Sequence, residues 1–106
     1  MEIRRYLTIS GRDIFGEWLS ELKDARTKAK VATRIDRLSA GNFGDCKALR
    51  GGLFELRIDW GPGYRAYYAL VGKACVLLLC GGDKRKQASD IKHALKYLKD
   101  YRERAL

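Results

Sequence analysis

The sequence predicts an α+β fold: an N-terminal strand and a two-helix hairpin packed on an antiparallel sheet of four to five strands, followed by a C-terminal helix. Three observations predict it. Apolar residues recur at helical spacing in the N-terminal part, four short apolar runs separated by glycine turns follow, and the chain finishes with another amphipathic segment. With 106 residues, 46% of them hydrophobic, we expect a single domain over 1–106 with one core.

The N-terminal part is expected to form a strand over Glu2–Thr8 and then a helical hairpin. Ser10 is the expected N-cap of the first helix, with Asp13 three residues further on. Lys23-Asp24 interrupts the helical pattern and Gly41-Asn42 ends it. One apolar face runs along both helices and comprises Ile14, Phe15, Trp18, Leu19, Leu22, Val31, Ile35 and Leu38.

The pattern changes after Gly44, where short runs alternate with tight turns. Consecutive strands joined by such turns pair as an antiparallel meander. A last helix is expected from about Gln87, with an apolar face and a lysine-rich face. The four predicted strands are Cys46–Arg50, Leu53–Trp60, Tyr64–Val71 and Ala74–Cys80.

The charge balance points to a polyanionic partner. Lys and Arg number 22 against 13 Asp and Glu, a formal net charge of +9. Nucleic acid, an acidic protein and an anionic membrane all fit such a charge. The longest apolar run, Ala74–Cys80, is far shorter than a bilayer span needs and no signal segment opens the chain, so we expect a cytoplasmic protein with no membrane partner.

The cysteines and the histidine do not form a metal-binding pattern. The three cysteines are odd in number and lack a CxxC spacing, and Cys75 and Cys80 lie in an apolar run. His93 is the only histidine. We therefore expect the cysteines to pack as small hydrophobes, and we expect no metal and no cofactor.

The strongest chemical signal is the second predicted strand, which alternates cleanly. Its apolar residues point to one side, while Glu55, Arg57 and Asp59 point to the other. The charged side is expected to be an open face. If residues 61–63 form a three-residue loop, Asp59 lies opposite Arg65 and Arg57 opposite Tyr67.

Further cations surround this face in the predicted fold. Together they would form a cleft suited to cleavage of RNA by its own 2′-hydroxyl, because Arg and Lys hold the phosphate and stabilise the charge of the transition state. Tyr67 would add a hydrogen bond or stack on a base. The alternative is an exposed cross-strand ion pair with no function. The surrounding candidates for RNA binding are Lys47, Arg50, Arg85 and Lys86, with Arg34 and Arg37 from a basic stripe on the second helix that also includes Arg26 and Lys30.

Three segments resemble the addiction-module killer branch of the RelE/HigB toxins, and the order of elements extends the similarity over nearly the whole chain. The segments are Gly51–Arg57, Gly63–Tyr68 and Leu77–Lys84. The resemblance implies a RelE-like fold and the toxin of a type II toxin-antitoxin pair, neutralised by an antitoxin of the helix-turn-helix type. It also implies an endoribonuclease that cleaves translated mRNA on the ribosome.

The resemblance assigns roles to particular residues. Arg65, in the Gly-Tyr-Arg match, takes the role of binding the scissile phosphate, and Arg57 takes that of a second basic strand residue. Lys84 would stabilise charge or protonate the leaving oxygen, and Arg85 would replace it if the alignment shifts by one residue. Asp90 lies near the position of a catalytic tyrosine in some relatives.

Glu55 and Asp90 depart from that pattern and leave the general base open. Glu55 stands where some relatives carry a basic residue, and no histidine lies in the predicted cleft. The base is then a lysine, a tyrosine or a carboxylate such as Glu55 or Asp59. Two other functions also remain: a ParE-like DNA gyrase inhibitor on the same scaffold, and a noncatalytic nucleic-acid-binding module.

Overall fold

The computed structural model describes residues 1–105 and confirms the α+β class. Two single-turn 3₁₀ segments, Arg50–Gly52 and Lys84–Lys86, precede β3 and α3, respectively. Within residues 1–105, no helix has both the length and the apolar character needed to cross a bilayer. The elements are β1 Glu2–Arg5, α1 Ile14–Glu21, α2 Ala25–Ser39, β2 Cys46–Ala48, β3 Leu53–Ile58, β4 Tyr64–Val71, β5 Cys75–Asp83 and α3 Gln87–Arg104.

The five strands form one sheet in the order β1-β5-β4-β3-β2. The predicted meander is confirmed, since β2 to β5 pair antiparallel in sequence order. β1 instead lies parallel to β5, with Glu2 opposite Cys75, so the sheet is mixed rather than wholly antiparallel. The long excursion of the chain between β1 and β5 permits this, because a parallel neighbour requires a crossover rather than a hairpin.

The predicted start of the first helix is wrong by three residues. Asp13, not Ser10, is the N-cap of α1, and its Oδ1 accepts a hydrogen bond from the amide of Gly16 at 2.9 Å. Ser10 lies in a tight turn that the amide of Gly11 closes on the carbonyl of Thr8 at 2.8 Å. β1 ends at Arg5, three residues earlier than the sequence suggested.

Helices cover both faces of the sheet. α1 and α2 pack on one face, where Phe15, Val31 and Leu38 meet the apolar side of β3. α3 packs on the other face through Ala94 and Leu98. The face expected to be open is therefore largely a second core, and the expectation of an open face is wrong for the part beneath α3.

The predicted pairing of β3 with β4 is also wrong. Arg57 lies opposite Arg65, and Glu55 lies opposite Tyr67. The turn closes when the amide of Gly63 donates to the carbonyl of Trp60 at 3.1 Å. The connection thus spans residues 59–63 rather than 61–63, and every cross-strand pair moves by two residues.

β5 runs three residues further than predicted and includes Gly81 and Gly82. Trp18 of α1 lies directly over Gly81, and the carboxylate of Asp90 lies directly over Gly82 on α3's side, so a Cβ at either position would collide with that side chain. The two glycines let both helices approach the strand closely. The extended strand ends at Asp83 and delivers Lys84 beside the β3–β4 loop.

Candidate active site

A shallow cleft of about 350 Å³ opens where β3, the 59–63 loop and the end of β5 meet. Arg57, Arg65 and Lys84 line it, together with the carboxylates Asp45 and Asp59. Three of the four residues predicted to be catalytic therefore share one cleft. They come from β3, from β4 and from the segment after β5, so the sheet itself fixes their relative positions.

Arg57 and Arg65 are directly opposite each other on neighbouring strands. Like charges in such a pair destabilise a sheet. Each arginine has its own carboxylate: Arg57 Nη2 lies 3.0 Å from Asp45 Oδ1, and Arg65 Nε lies 3.5 Å from Glu55 Oε2. The two guanidinium groups therefore remain adjacent on the sheet, each next to a carboxylate of its own.

The two arginines differ in how firmly they are held. The Arg57 side chain is 42% exposed, whereas that of Arg65 is 12% exposed. Arg65 Nη1 donates to the carbonyl of Gly63 at 3.3 Å. Arg65 is thus a preorganised guanidinium at the bottom of the cleft, and Arg57 is a more exposed cation at its rim.

Glu55 is buried behind Arg65 rather than facing the cleft, with 1% of its surface exposed. Gln87, the first residue of α3, donates from Nε2 to Glu55 Oε2 at 2.8 Å. The carboxylate is therefore held by an amide on one side and a guanidinium on the other. This geometry makes Glu55 a support for Arg65 and leaves it out of reach of a substrate hydroxyl.

Lys84 reaches the cleft because its amide donates to the carbonyl of Gly63 at 2.9 Å, which joins the end of β5 to the β3–β4 loop. Arg85 points elsewhere, and its Nη2 pairs with Asp83 Oδ2 at 2.9 Å. Hydrogen bonding from Arg85 holds the pKa of the Asp83 carboxyl below its usual range. Lys84 is therefore the basic residue of this segment that lines the cleft.

Tyr67 lies in the core beneath α3 rather than on an open surface. Its hydroxyl is buried and has no hydrogen-bond partner within residues 1–105. Burial, followed by the nearby charge of Glu55, raises the pKa of this phenol well above its usual value. The expectation that Tyr67 shares an exposed patch with Arg57 is wrong, because α3 covers it.

Residues 17–100 match the family described as Phage derived protein Gp49-like (DUF891). The chain belongs to this family. Gp49-like proteins form a RelE-like toxin family, so the resemblance is confirmed at that level. The chain is also 56% identical over 80 residues to a protein of Haemophilus influenzae described as an uncharacterized protein, a match that covers 76% of this chain and 81% of the relative.

The remaining basic candidates of this Gp49-like chain lie outside the cleft. Lys47 is exposed on β2 opposite Glu55, and Arg50 is exposed in the turn before β3. Lys86 is exposed at the start of α3. None of the three lines the cleft.

Arg34 and Arg37 line a second depression, of about 590 Å³, between α2 and the end of β3. Arg34 also has a structural role, since its Nη1 donates to the carbonyl of Arg57 at 2.8 Å. The sequence predicted that these two arginines lie on a basic stripe of the second helix, but it did not predict a cavity there. The structure adds the cavity and connects Arg34 to the backbone of the cleft.

Trp60 is a further side chain whose position the sequence predicted only in part. Alternation placed it at the end of a strand, facing the core. It does pack against that core, but it lies in the 59–63 loop rather than in β3. Its indole Nε1 donates to Thr27 Oγ1 at 3.1 Å, and Lys30 Nζ lies 4.9 Å from its ring centroid. The signal in the sequence was the Gly61-Pro62 that follows, which favours a turn over a strand end.

Proposed function

We propose that this Gp49-like chain is the toxin of a type II toxin-antitoxin pair and an endoribonuclease that cleaves translated mRNA on the ribosome. The observation that carries the proposal is the cleft that unites Arg57, Arg65 and Lys84. Arg57 and Arg65 lie opposite each other on adjacent strands, and each pairs with a different carboxylate. A phosphodiester is an anion of the right size and charge to lie between them.

The reaction needs the RNA itself as nucleophile. The 2′-oxygen attacks the adjacent phosphorus and loses its proton, the bond to the 5′-oxygen breaks, and the leaving oxygen takes up a proton. Arg65, held in place from behind, binds the scissile phosphate and stabilises the additional negative charge of the transition state. Arg57 at the rim adds a second contact, and Lys84 stabilises or protonates the leaving 5′-oxygen.

Asp59 is the carboxylate of the cleft best placed to accept the 2′-hydroxyl proton. It lines the cleft, is exposed, and forms no ion pair within residues 1–105, whereas Asp45 is paired with Arg57. Glu55 is excluded from this role by its burial. The ribosome contributes by aligning the 2′-oxygen with the phosphate, which is where much of the rate enhancement of such a reaction arises.

This mechanism assigns no step to a metal or an organic cofactor, because the nucleophile belongs to the substrate. The partners are mRNA and the ribosome, which places the protein in the cytoplasm, together with an antitoxin of the helix-turn-helix type. Co-expression with the gene adjacent to that of the toxin, followed by purification of the pair, tests the antitoxin directly. Relief of growth arrest by that neighbour is the expected result.

The test of the activity is a map of mRNA 5′ ends after brief induction of the wild type and of Arg65→Ala. We expect new ends within translated regions for the wild type and none for the variant, with growth arrest abolished in parallel. Lys73→Ala is the matched control, because it removes one cation from the β4–β5 turn at the opposite end of the sheet. Purified ribosomes and mRNA give the same comparison without other nucleases.

Three outcomes would contradict the proposed function. Arrest by a folded Arg65→Ala variant at the level of the wild type would contradict the proposed chemistry. Intact mRNA together with DNA-damage signalling would favour gyrase as the target. Arrest-free expression with salt-sensitive binding to many polyanions would indicate a noncatalytic module.

A further inference from the structure

The second depression has the composition of a binding site and is named here the α2 groove. It is lined by four cations of α2, Arg26, Lys30, Arg34 and Arg37, and on its other side by Ile58, Asp59 and Trp60. At about 590 Å³ it has room for a nucleotide. Of the residues that line it, the proposed chemistry uses only Asp59.

The cations of the α2 groove are not neutralised. Within residues 1–105 none of the four forms an ion pair, although five arginines elsewhere on the surface each pair with a carboxylate: Arg4, Arg5, Arg12, Arg85 and Arg104. Arg26, Lys30 and Arg34 follow one another at four-residue spacing, and like charges at that spacing destabilise a helix. A row of like charges that lowers the stability of α2 is consistent with a helix surface that binds an anion.

Trp60 gives the α2 groove an aromatic wall. The hydrogen bond from its indole to Thr27 favours one orientation of the ring. The ammonium of Lys30 covers the ring at 4.9 Å. A cation over an indole is exchangeable at a surface, because such an interaction is worth only about 0.5–1 kcal/mol.

The α2 groove borders the catalytic cleft. Ile58 and Asp59 line both. Arg34 links the two through its hydrogen bond to the backbone of Arg57, a cleft residue. Asp59 is exposed and common to both depressions, so an RNA strand that passes it can contact residues of each.

We propose that the α2 groove binds the single-stranded RNA that leads out of the cleft. One base stacks on Trp60 in place of Lys30, and Lys30, with Arg26 and Arg37, contacts the flanking phosphates. The inference rests on the proposed function in taking RNA as the substrate. The aromatic wall favours RNA over an acidic protein segment, since an acidic segment would use the cations but gain nothing from a planar face.

Tryptophan fluorescence tests the stacking interaction directly. The chain contains two tryptophans, and the partly buried Trp18 packs on Phe15 and Gly81 on the α1 side. In a Trp18→Phe background, Trp60 is the sole reporter. The probe is a short single-stranded RNA with 2′-O-methyl riboses, which blocks the nucleophile so that binding is measured without cleavage. We expect saturable quenching of Trp60.

Two matched pairs of variants separate stacking from charge. The Trp60 variants lack the fluorescent reporter, so their binding is measured by the anisotropy of a labelled form of the same RNA. Trp60→Leu should weaken binding by roughly five- to a hundredfold, while Trp60→Phe keeps an aromatic face and most of the affinity. Lys30→Glu should weaken binding and lower the salt dependence by about 0.7 in log–log slope for each phosphate that the variant no longer neutralises. Lys28→Glu makes the same charge change on an exposed part of α2 outside the α2 groove and should have a smaller effect. Thermal melts establish that each variant is folded.

The outcomes distinguish this inference from the proposed function. If RNA binds without quenching Trp60, and Lys30→Glu and Lys28→Glu have equal effects, the α2 groove is not the RNA-binding site. That result would leave the proposed cleavage in the cleft unaffected. Quenching by a polyglutamate peptide but not by RNA would also overturn it and would make the α2 groove a site for a protein. Quenching by RNA in a protein that cleaves no mRNA in cells would support the groove and refute the proposed activity.

Discussion

At the residue scale, Arg65 depends on a carboxylate that the solvent barely reaches. Glu55→Gln keeps the size of the side chain but removes the charge that faces the guanidinium at 3.5 Å. We expect cleavage by purified protein on ribosomes to fall by up to roughly a hundredfold, because Arg65 loses its fixed position. The free energy of unfolding should fall by about 1–3 kcal/mol, because the largely buried guanidinium loses its ion-pair partner.

Glu103→Gln serves as the control for this change, since Glu103 is exposed and lies 4.0 Å from Lys99. It should alter neither cleavage nor stability. Unchanged cleavage by Glu55→Gln would mean that the loop carbonyl of Gly63 alone positions Arg65.

The second prediction at this scale concerns Tyr67, whose hydroxyl is buried without a partner within residues 1–105. Tyr67→Phe removes an unsatisfied polar group and should leave stability unchanged or raise it by up to about 1 kcal/mol. Cleavage should stay within about twofold of the wild type, since α3 separates this hydroxyl from the cleft. A large drop in kcat in a folded variant would instead show that α3 moves and exposes Tyr67 during the reaction.

At the scale of elements, the sequence predicted which residues form the strands better than it predicted how they pair. Alternation along β3 correctly placed Glu55 and Arg57 on the same side of the sheet. It could not show that Trp60 would leave the strand to pack against Thr27 and Lys30, because those interactions join residues about thirty positions apart. Because Trp60 lies outside β3, the β3–β4 loop is longer than predicted and the pairing of β3 with β4 shifts by two residues.

The hydrophobic pattern also did not predict where α3 packs. Its amphipathic character predicted a surface helix, but periodicity does not state which face of the sheet a helix covers. The cleft residues Arg57, Arg65 and Lys84 were predictable because a family motif carried them, whereas the support from Gln87 to Glu55 arises only after α3 docks. The sequence therefore predicted the cations of the site and missed the groups that hold them.

The docking of α3 also brings Asp90 over Gly82, where one carboxylate oxygen has no partner within residues 1–105. Burial raises the pKa of this carboxyl, so the folded protein holds its proton more tightly than the unfolded chain. Its stabilising contribution is then complete below the unfolded pKa of about 4 and is lost as the pH rises through the raised value. Asp90→Asn should therefore be more stable than the wild type at neutral pH, by about 1 kcal/mol.

Urea unfolding of both proteins between pH 4 and 8 checks this prediction. The stability difference should be small at the acidic end, grow as the pH rises, and then level off. The difference is the relevant quantity, because the lowered pKa values of other carboxyls, such as Asp83, give the protein an opposite dependence that both share. A difference that is constant with pH would assign the effect to the helix rather than to the titration of Asp90.

At the scale of the whole molecule, the cleft depends on a sheet that is covered on both faces. β5 contributes to both cores and leads directly into Lys84. Two of the three cysteines, Cys75 and Cys80, are buried in this strand, and burial raises the pKa of Cys80 to about 12. Burial also raises the pKa of Cys75. Their thiolates, the reactive form, are therefore scarce in the native protein.

These thiols report whether the molecule opens as one unit. With a disulfide reagent at neutral pH, we expect the half-buried Cys46 to react first and the other two to react slower by orders of magnitude, at the rate of global unfolding. Cys46→Ser should abolish the fast phase, and urea should accelerate only the slow one. Rapid reaction of all three in native buffer would mean that β5 separates from its neighbours in the folded state. Lys84 would then be delivered by a mobile strand, and the cleft would form on binding rather than beforehand.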